Sequence, residues 1–348
     1  MQWLFLGSLG CLALCWSPAP SLRAENTGPI EHGVDTIHRQ EEHMSTWVTI
    51  TVAGTDTPSA EGAIAAAFAE IARLEKILSE WKTDSQVAAV IANAGIGPVE
   101  VGPELMLVAG VALEVANLSQ GAFDVTVGAL WGLWDFRQEA PRIPSTRELA
   151  EHLPLVNYRD LVVDTRKQTL FLKRPQMNLA LGGIVKGYAV DRASTILKRH
   201  GLVDHLIVAG GDIVASGRKG HQVWRIGVRH PRSASLVATL SLENQAVATS
   251  GDYQRYFEQS GKRYHHILDP KTGYPAKGAS SVTVIAPSCM LADAYATAVF
   301  VKGAKHGLAL AESLPRTEAL IFYDDGTRTQ STSGFKELTR TGRISQPR

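Results

Sequence analysis

The sequence predicts an α+β fold, in which a mixed antiparallel sheet and packed helices form a single compact body. Three observations favour this class. The N-terminal half carries a clear amphipathic helix, short apolar strands follow one another from residue 205 onward, and no repeat or low-complexity linker divides the chain. With 348 residues the chain could form one large domain or two moderate ones, and the mixing of helices and strands favours one.

The first 24 residues differ in character from the rest of the chain. They contain a short apolar run, then two prolines, and end in a plausible cleavage site after Ala24. The run is too short to span a bilayer and is typical of a signal peptide, which predicts export to the periplasm. An alternative is an inner-membrane lipoprotein that is lipidated at Cys11, although Ser8 stands where lipoprotein signals usually carry Leu.

The mature chain is predicted to begin with a loose polar segment, residues 25–42, followed by the folded domain over residues 43–340. Removal of a conventional signal peptide would leave Cys289 as the one remaining cysteine, so no intramolecular disulfide is expected. A formal charge of +1 and the absence of a basic, aromatic-interleaved stretch argue against a nucleic-acid partner.

Helix and strand signals alternate along the domain. "MSTWVTITVAG" alternates as a strand does, and residues 59–81 form the clearest amphipathic helix, with Ser59 as the predicted N-cap. A second helix is predicted over residues 103–118, opened by Pro103.

The later part of the domain is richer in strands. Residues 141–153 are interpreted as a surface excursion, and "LVVDTRKQTLFLK" as a hairpin. Short strands follow, and the chain ends in a helix, "AKHGLALAESL", and a strand, "ALIFYDD".

The segment "SCMLADAYATAVFV", residues 288–301, is typical of a buried helix except for Asp293 and Thr297. These two lie four residues apart and therefore share one face of the helix. A buried carboxylate needs a partner, and a carboxylate beside a hydroxyl offers the hard oxygens that Mg²⁺ prefers. The pair alone fits equally well an Asp near a helix N-terminus and a Thr bonded to the preceding turn.

Three further segments depart from core patterning. "SQGAFDVTVG" (119–128) is by itself a glycine turn leading into a strand. "LALGGIVKGYAVDRA" (179–193) is a glycine turn opening a helix, either a tight turn or an anion site. The composition of residues 248–276 predicts an ordered loop. His265 and His266 are adjacent there, so in an extended segment they point to opposite faces and only one can serve a given site. A single histidine in a loop is either incidental or catalytic.

Taken together, these segments resemble the ApbE family, the FAD:protein FMN transferases. The resemblance runs from about Met44 to beyond Gly303. It is carried, in family order, by "MSTW", "LSEWKTDSQVAAVIANAG", "GAFDVTVG", "LGGIVKGYAVDRA", "VAGGDI", "ATSGDY", "HHILDPKTGYP" and "SVTVIAPSCMLADAYATAVFVKG".

The resemblance implies a T-fold-like ApbE architecture and a periplasmic, Mg²⁺-dependent enzyme. Such an enzyme splits FAD, releases AMP and joins FMN by a phosphoester bond to a Thr or Ser of an acceptor flavoprotein, a subunit of a membrane redox complex. By resemblance, Asp293, Thr297 and the carbonyl of Gly183 bind Mg²⁺, and His266 deprotonates the acceptor hydroxyl.

The residues expected by resemblance to line FAD come from several segments of the chain. They are Met44, Trp81, Ala122, Phe123, Asp124, Lys186, Ile267 and Ala296. One departure from the family pattern is Ala180, since the family commonly carries an acidic residue immediately before "LGG". This change removes a polar group near the flavin or the metal.

Two other functions stay open beside protein flavinylation. The same metal site could hydrolyse FAD to FMN and AMP with water as the acceptor. Because Ala180 stands where the family commonly carries an acidic residue, a non-catalytic flavin-binding protein is the other alternative. Asp293, Thr297 and His266 favour an enzyme.

Overall fold

The computed structural model describes residues 34–136 and 140–339. Its strands are β1 (Thr36–His43), β2 (Thr46–Ala53), β3 (Val99–Glu100), β4 (Leu161–Asp164), β5 (Thr169–Leu172), β6 (His205–Ala209), β7 (Asp212–Ser216), β8 (Trp224–Arg229), β9 (Leu236–Leu242), β10 (Gln245–Gly251), β11 (Tyr256–Gln259), β12 (Lys262–His265), β13 (Ser281–Ala286), β14 (Glu318–Phe322) and β15 (Thr329–Ser331).

Within residues 34–136 and 140–339, seven α-helices accompany these strands. They are α1 (Thr57–Leu78), α2 (Gln86–Ala92), α3 (Pro103–Leu118), α4 (Thr146–His152), α5 (Val185–Arg199), α6 (Cys289–Ser313) and α7 (Phe335–Leu338). Three short 3-10 helices cover residues 125–130, 153–155 and 158–160. The predicted helix over residues 103–118 is confirmed as α3, and the predicted hairpin is confirmed as β4 and β5.

An eight-stranded antiparallel sheet forms the centre of the molecule, in the order β1-β2-β6-β7-β10-β13-β14-β15. Alternate side chains of its strands enter two different cores, as the period of two in a strand requires. On β10, Ala246 and Ala248 join the core beneath the helices, whereas Val247 joins the core on the opposite face. Helices α5 and α6 cover the first face, and the β8–β9 hairpin with α7 covers the second.

The long helices form a layer in which α5 lies between α1 and α6. The apolar stripe of α1 is buried there, but the helix begins earlier than predicted. Asp56, not Ser59, is the N-cap, and its carboxylate accepts a hydrogen bond from the Ser59 N–H at 2.9 Å. The helix ends at Leu78, so Trp81 lies in the following turn rather than on the helix.

The structure corrects two sequence predictions and adds a short helix to a third, the surface excursion. Residues 36–42 of the predicted loose segment lie in β1, because their backbone pairs with β2 along its whole length while their polar side chains remain at the sheet edge. The predicted excursion over residues 141–153 contains α4, nucleated by a capping box between Ser145 and Glu148. The segment predicted to lead into a strand forms the 3-10 helix 125–130 instead.

Several predictions concern residues outside the described part of the chain. They are the signal peptide, Cys11 and residues 25–33 of the predicted loose segment. Within the described residues, no helix combines the length and the apolar character needed to cross a membrane. Cys289 is buried and free at the start of α6.

A buried histidine makes folding stability depend on pH. His205, at the start of β6, is fully buried; Nδ1 donates to the Leu202 carbonyl at 2.7 Å and Nε2 accepts from the Ser194 hydroxyl at 2.8 Å. Burial lowers the pKa of His205 from 6.5 to about 4. Between these values the unfolded chain binds a proton that the folded chain does not, so stability is lost as the pH falls from about 6.5 to 4.

We therefore predict that His205→Gln reduces the loss of unfolding free energy between pH 7.5 and 5 by about 2 kcal/mol relative to the wild type. Urea denaturation at both pH values measures this difference. His306→Gln, at an exposed position of α6, is the control and should leave the pH dependence unchanged. An equal loss in wild type and His205→Gln would exclude His205 as the source.

Candidate active site

The predicted metal ligands meet where the turn before α5 faces the beginning of α6. Asp293 and Thr297 lie one turn apart on α6, as predicted, and Asp293 is 5% exposed. A Cβ atom added to Gly183 would lie 3.1 Å from Thr297 Oγ1 and 3.5 Å from the Phe123 ring. Glycine at position 183 therefore lets the backbone approach the Thr297 hydroxyl closely.

The position of Asp293 is fixed by close packing between α5 and α6. A Cβ atom at Gly187 would lie 2.3 Å from the Cys289 carbonyl oxygen, so this crossing requires glycine. Asp191 of α5 accepts hydrogen bonds from the backbone N–H groups of Cys289 and Met290, both at 2.9 Å. A carboxylate at the positive end of α6 stabilises that end, and it ties the first turn of α6 to α5.

Lys186 links two buried carboxylates across this crossing. Its Nζ lies 2.5 Å from Asp212 Oδ2 and 3.8 Å from Asp293 Oδ2. Burial lowers the pKa of Lys186, but the two carboxylates outweigh burial and raise it overall. Burial and the charge of Asp212 raise the pKa of Asp293. Lys186 therefore stays charged, whereas the carboxyl group of Asp293 is driven toward its neutral form unless a further cation lies beside it.

The donor atoms suit a hard divalent cation. The contacts that reach Asp293 are long, with Gly187 N at 3.4 Å from Oδ2, and Thr297 Oγ1 lies 3.3 Å from Ser250 Oγ. A carboxylate, a hydroxyl and a backbone carbonyl are the oxygen types that Mg²⁺ prefers. The described residues contain no cluster of three His, Cys, Asp or Glu side chains able to hold a metal, and the predicted set uses a single carboxylate.

The two adjacent histidines have different environments. His265 is buried, with Nε2 at 3.0 Å from the Ala276 carbonyl and its ring edge-on to Phe300, which is a structural role. His266 is half-buried, and its Nδ1 lies 3.3 Å from the Arg255 carbonyl. Burial, with smaller contributions from positive neighbours that include Arg255 and Lys186, lowers the pKa of His266 to about 3. The imidazole is therefore neutral at pH 7.

Three of the residues predicted to line FAD lie beside this site or on its surface. Met44 lines the same small cavity as Lys186, and the Phe123 ring faces Gly183. Trp81 is 69% exposed and packs against Trp131 at a ring-centroid distance of 5.9 Å. Trp81 and the half-buried Met44 present apolar or aromatic surface, whereas Phe123 is only 4% exposed.

Other predicted FAD-lining residues are buried in the protein. The Asp124 carboxylate accepts hydrogen bonds from the Thr126 N–H and hydroxyl and from the Tyr158 N–H. It therefore caps the 3-10 helix 125–130 and joins it to the segment that contains Tyr158. Burial raises the pKa of Asp124. Ala296 is fully buried within α6, and Ala122 and Ile267 are also buried. Their contact with FAD stays a prediction.

The structure adds residues that the sequence reasoning assigned no role. They are Glu80, Asp212, Ser250 and Arg255. Each lies inside or next to a segment already singled out, which was the available signal: "LSEW" contains Glu80, "VAGGDI" contains Asp212, and "ATSGDY" contains Ser250. The Glu80 carboxylate accepts a hydrogen bond from the Leu181 N–H at 2.5 Å, and burial raises its pKa to about 7.

Comparison with known proteins identifies the class. The profile of the ApbE family matches residues 44–321, so the chain belongs to this family. It is 34% identical to an FAD:protein FMN transferase of Haemophilus influenzae, over 76% of this chain and 80% of the relative. It is 35% identical to one of Treponema pallidum, over 81% of this chain and 83% of the relative.

Solved structures agree with the family assignment. An ApbE protein of Thermotoga maritima superposes with a TM-score of 0.82 at 34% identity, covering 88% of this chain and 100% of that one. The flavin transferase ApbE of Vibrio cholerae superposes with a TM-score of 0.77 at 29% identity, covering 88% and 99%. The predicted family and α+β fold are confirmed, and the prediction of a flavin-transferring enzyme agrees with these names.

Proposed function

We propose that this protein is a Mg²⁺-dependent FAD:protein FMN transferase. The observation that carries the proposal is the meeting of Asp293, Thr297 and Gly183 beside Lys186, within electrostatic reach of the neutral His266. Oxygen donors for a cation, a fixed positive charge and a proton acceptor are what transfer of a phosphoryl group requires. The names of the relatives support the same activity.

The chain's own residues would divide the work as follows. Asp293, Thr297 and the Gly183 carbonyl would hold Mg²⁺, which would neutralise the pyrophosphate oxygens and stabilise the leaving AMP. Lys186 adds a positive charge, because its carboxylate partners keep its amino group protonated. Met44, Phe123 and the exposed Trp81 would orient FAD through apolar and aromatic contact.

His266 would accept the proton of the acceptor hydroxyl. Because Nδ1–H donates to the Arg255 carbonyl, the lone pair is left on Nε2. As the acceptor oxygen bonds to the phosphorus of the FMN half, the bond to the AMP oxygen breaks and the proton moves to Nε2. The lowered pKa makes His266 a weak base in the ligand-free protein, and the negative pyrophosphate of bound FAD would raise that pKa.

Export to the periplasm and the nature of the acceptor are part of this proposal. The apolar N-terminal segment supports export, with membrane attachment if Cys11 is lipidated. A phosphoester to Thr or Ser of a flavoprotein subunit of a membrane redox complex is the product expected from the family resemblance.

The test is incubation of purified protein with FAD, Mg²⁺ and an acceptor flavoprotein subunit, followed by in-gel fluorescence and mass spectrometry of the acceptor. The expected result is a covalent FMN adduct with equimolar AMP. AMP release at a comparable rate without acceptor would favour FAD hydrolysis, and stoichiometric FAD binding without AMP would favour a non-catalytic flavin-binding protein. Either outcome, with well-folded protein and competent acceptors, would contradict the proposal.

Asp293→Ala is predicted to abolish transfer, by at least about 10²-fold, because it removes the charged cation ligand. Raised Mg²⁺ should restore little activity, since the hydroxyl and carbonyl donors carry no net charge. Transfer rates and Mg²⁺ binding by calorimetry measure the two effects. Asp325→Ala, at an exposed Asp paired with Arg328, is the matched control. Normal Mg²⁺ binding by Asp293→Ala would remove Asp293 from the metal site.

His266→Ala is predicted to leave FAD affinity unchanged and to slow transfer by about 10²–10⁴-fold, the usual range for a general base. Equilibrium FAD titration and single-turnover transfer separate binding from chemistry. His200→Ala, at an exposed position after α5, is the control. Transfer at the wild-type rate would show that His266 does not act as the base.

A further inference from the structure

Glu80 holds the glycine turn that precedes α5. Its carboxylate accepts a hydrogen bond from the Leu181 N–H at 2.5 Å, and the Gly182 N–H interacts with the same carboxylate. The contact with Leu181 joins residues 101 positions apart in the chain. Because the carboxyl group of Glu80 accepts from neighbouring backbone N–H groups, it ties this turn to the segment between α1 and α2, and the contact is stronger when Glu80 is ionised.

The Glu80 segment is itself firmly placed. Ser79 Oγ accepts hydrogen bonds from the N–H groups of Trp81 and Lys82, at 3.1 and 3.3 Å. The Ser85 hydroxyl donates to the Ser79 carbonyl at 2.6 Å and also caps α2. Glu80 therefore extends from a closed turn between α1 and α2, and this turn provides a fixed support for its carboxylate.

The glycine turn is held from its other side by a backbone contact. The Ala180 N–H donates to the Val125 carbonyl at 2.7 Å, and the next N–H group along the chain donates to Glu80. Between them the two contacts set the path of the chain into Gly183, whose backbone lies beside Thr297. Loss of either contact would let the turn move by a fraction of an ångström, and displacements of this order matter for transfer reactions.

We propose that Glu80 is a positioning residue of the FAD site, which holds the turn 181–183 so that Gly183 stays beside Thr297. This inference rests on the proposed function. Glu80 also brings a carboxylate to the N–H of Leu181, the residue after Ala180, and by resemblance the family commonly carries an acidic residue at position 180. An Asp at position 180 could accept from the Gly182 N–H within its own turn, as Asx turns do.

The relation between positions 80 and 180 gives the inference its test. If one carboxylate is needed at this turn, Ala180→Asp should restore function to a chain that has lost Glu80. In the presence of Glu80 the same substitution would place two carboxylates side by side, where like charges repel. Ala180→Asp should therefore impair the wild type and rescue Glu80→Ala. A carboxylate that merely stabilised the fold would not produce this change of sign.

The experiment measures AMP release from FAD at saturating Mg²⁺ in the presence of the acceptor flavoprotein subunit, and FAD affinity by equilibrium titration. The variants are Glu80→Gln, Glu80→Ala, Ala180→Asp and the double variant Glu80→Ala/Ala180→Asp. Glu70→Gln is the matched control, because Glu70 lies on α1 and pairs with the side chains of Arg73 and Arg192. Circular dichroism confirms that each variant is folded.

For Glu80→Ala we expect kcat/KM for FAD to fall by about 10–100-fold, with a smaller loss for Glu80→Gln, which keeps one acceptor oxygen. The double variant should regain about tenfold over Glu80→Ala, and Glu70→Gln should match the wild type. Wild-type values in both Glu80 variants, or a folded double variant no better than Glu80→Ala, would overturn the inference. If Glu80→Ala does not fold, the kcat/KM values of Glu80→Gln and of the double variant test the inference by the same criteria.

Failure of the proposed function would give a different result. A wild type that releases no AMP in the presence of a competent acceptor contradicts the transferase proposal, and FAD affinity then measures the role of Glu80 instead. If the wild type binds no FAD, amide hydrogen exchange of the peptide covering residues 178–185 still tests the contact. Exchange that is no faster in Glu80→Ala than in Glu70→Gln would overturn the positioning role without reference to activity.

Discussion

The close crossing of α5 and α6 is the contact on which the candidate site depends. Gly187 allows the two backbones to meet at Cys289, and Asp191 binds the exposed N–H groups at the start of α6. A larger residue at position 187 would push the helices apart, because the atoms it would meet belong to backbone and cannot rotate away. The same crossing places Asp293 of α6 opposite Lys186 of α5.

The crossing also explains how buried acidic groups are tolerated in this core. Asp212 and Asp293 are 2% and 5% exposed, and two carboxylates so placed are costly without countercharge. Lys186 provides one positive charge for both, with the shorter contact to Asp212. Because burial and Asp212 raise the pKa of Asp293, a divalent cation beside Thr297 and Gly183 would stabilise its charged form.

The sequence predicted those features that are local in the chain. The i, i+4 spacing put Asp293 and Thr297 on one face, and the adjacent glycines before α5 predicted a turn that opens a helix; the structure shows both. Features that depend on distant contacts could not be predicted in this way. The pairing of Lys186 with Asp212 and the pairing that turns residues 36–43 into an edge strand leave no periodic signal.

Glu80 shows how such a distant contact changes the meaning of a substitution. From the sequence alone, Ala180 is a lost acidic group and weakens the case for FAD binding. In the folded chain a carboxylate from a different element reaches the same turn and binds the Leu181 N–H. If Glu80 holds this turn as proposed, a carboxylate supplied from residue 80 would serve where one at residue 180 is missing. The effect of a departure from a family pattern, such as Ala180, therefore depends on which side chains from other parts of the fold contact the same backbone groups.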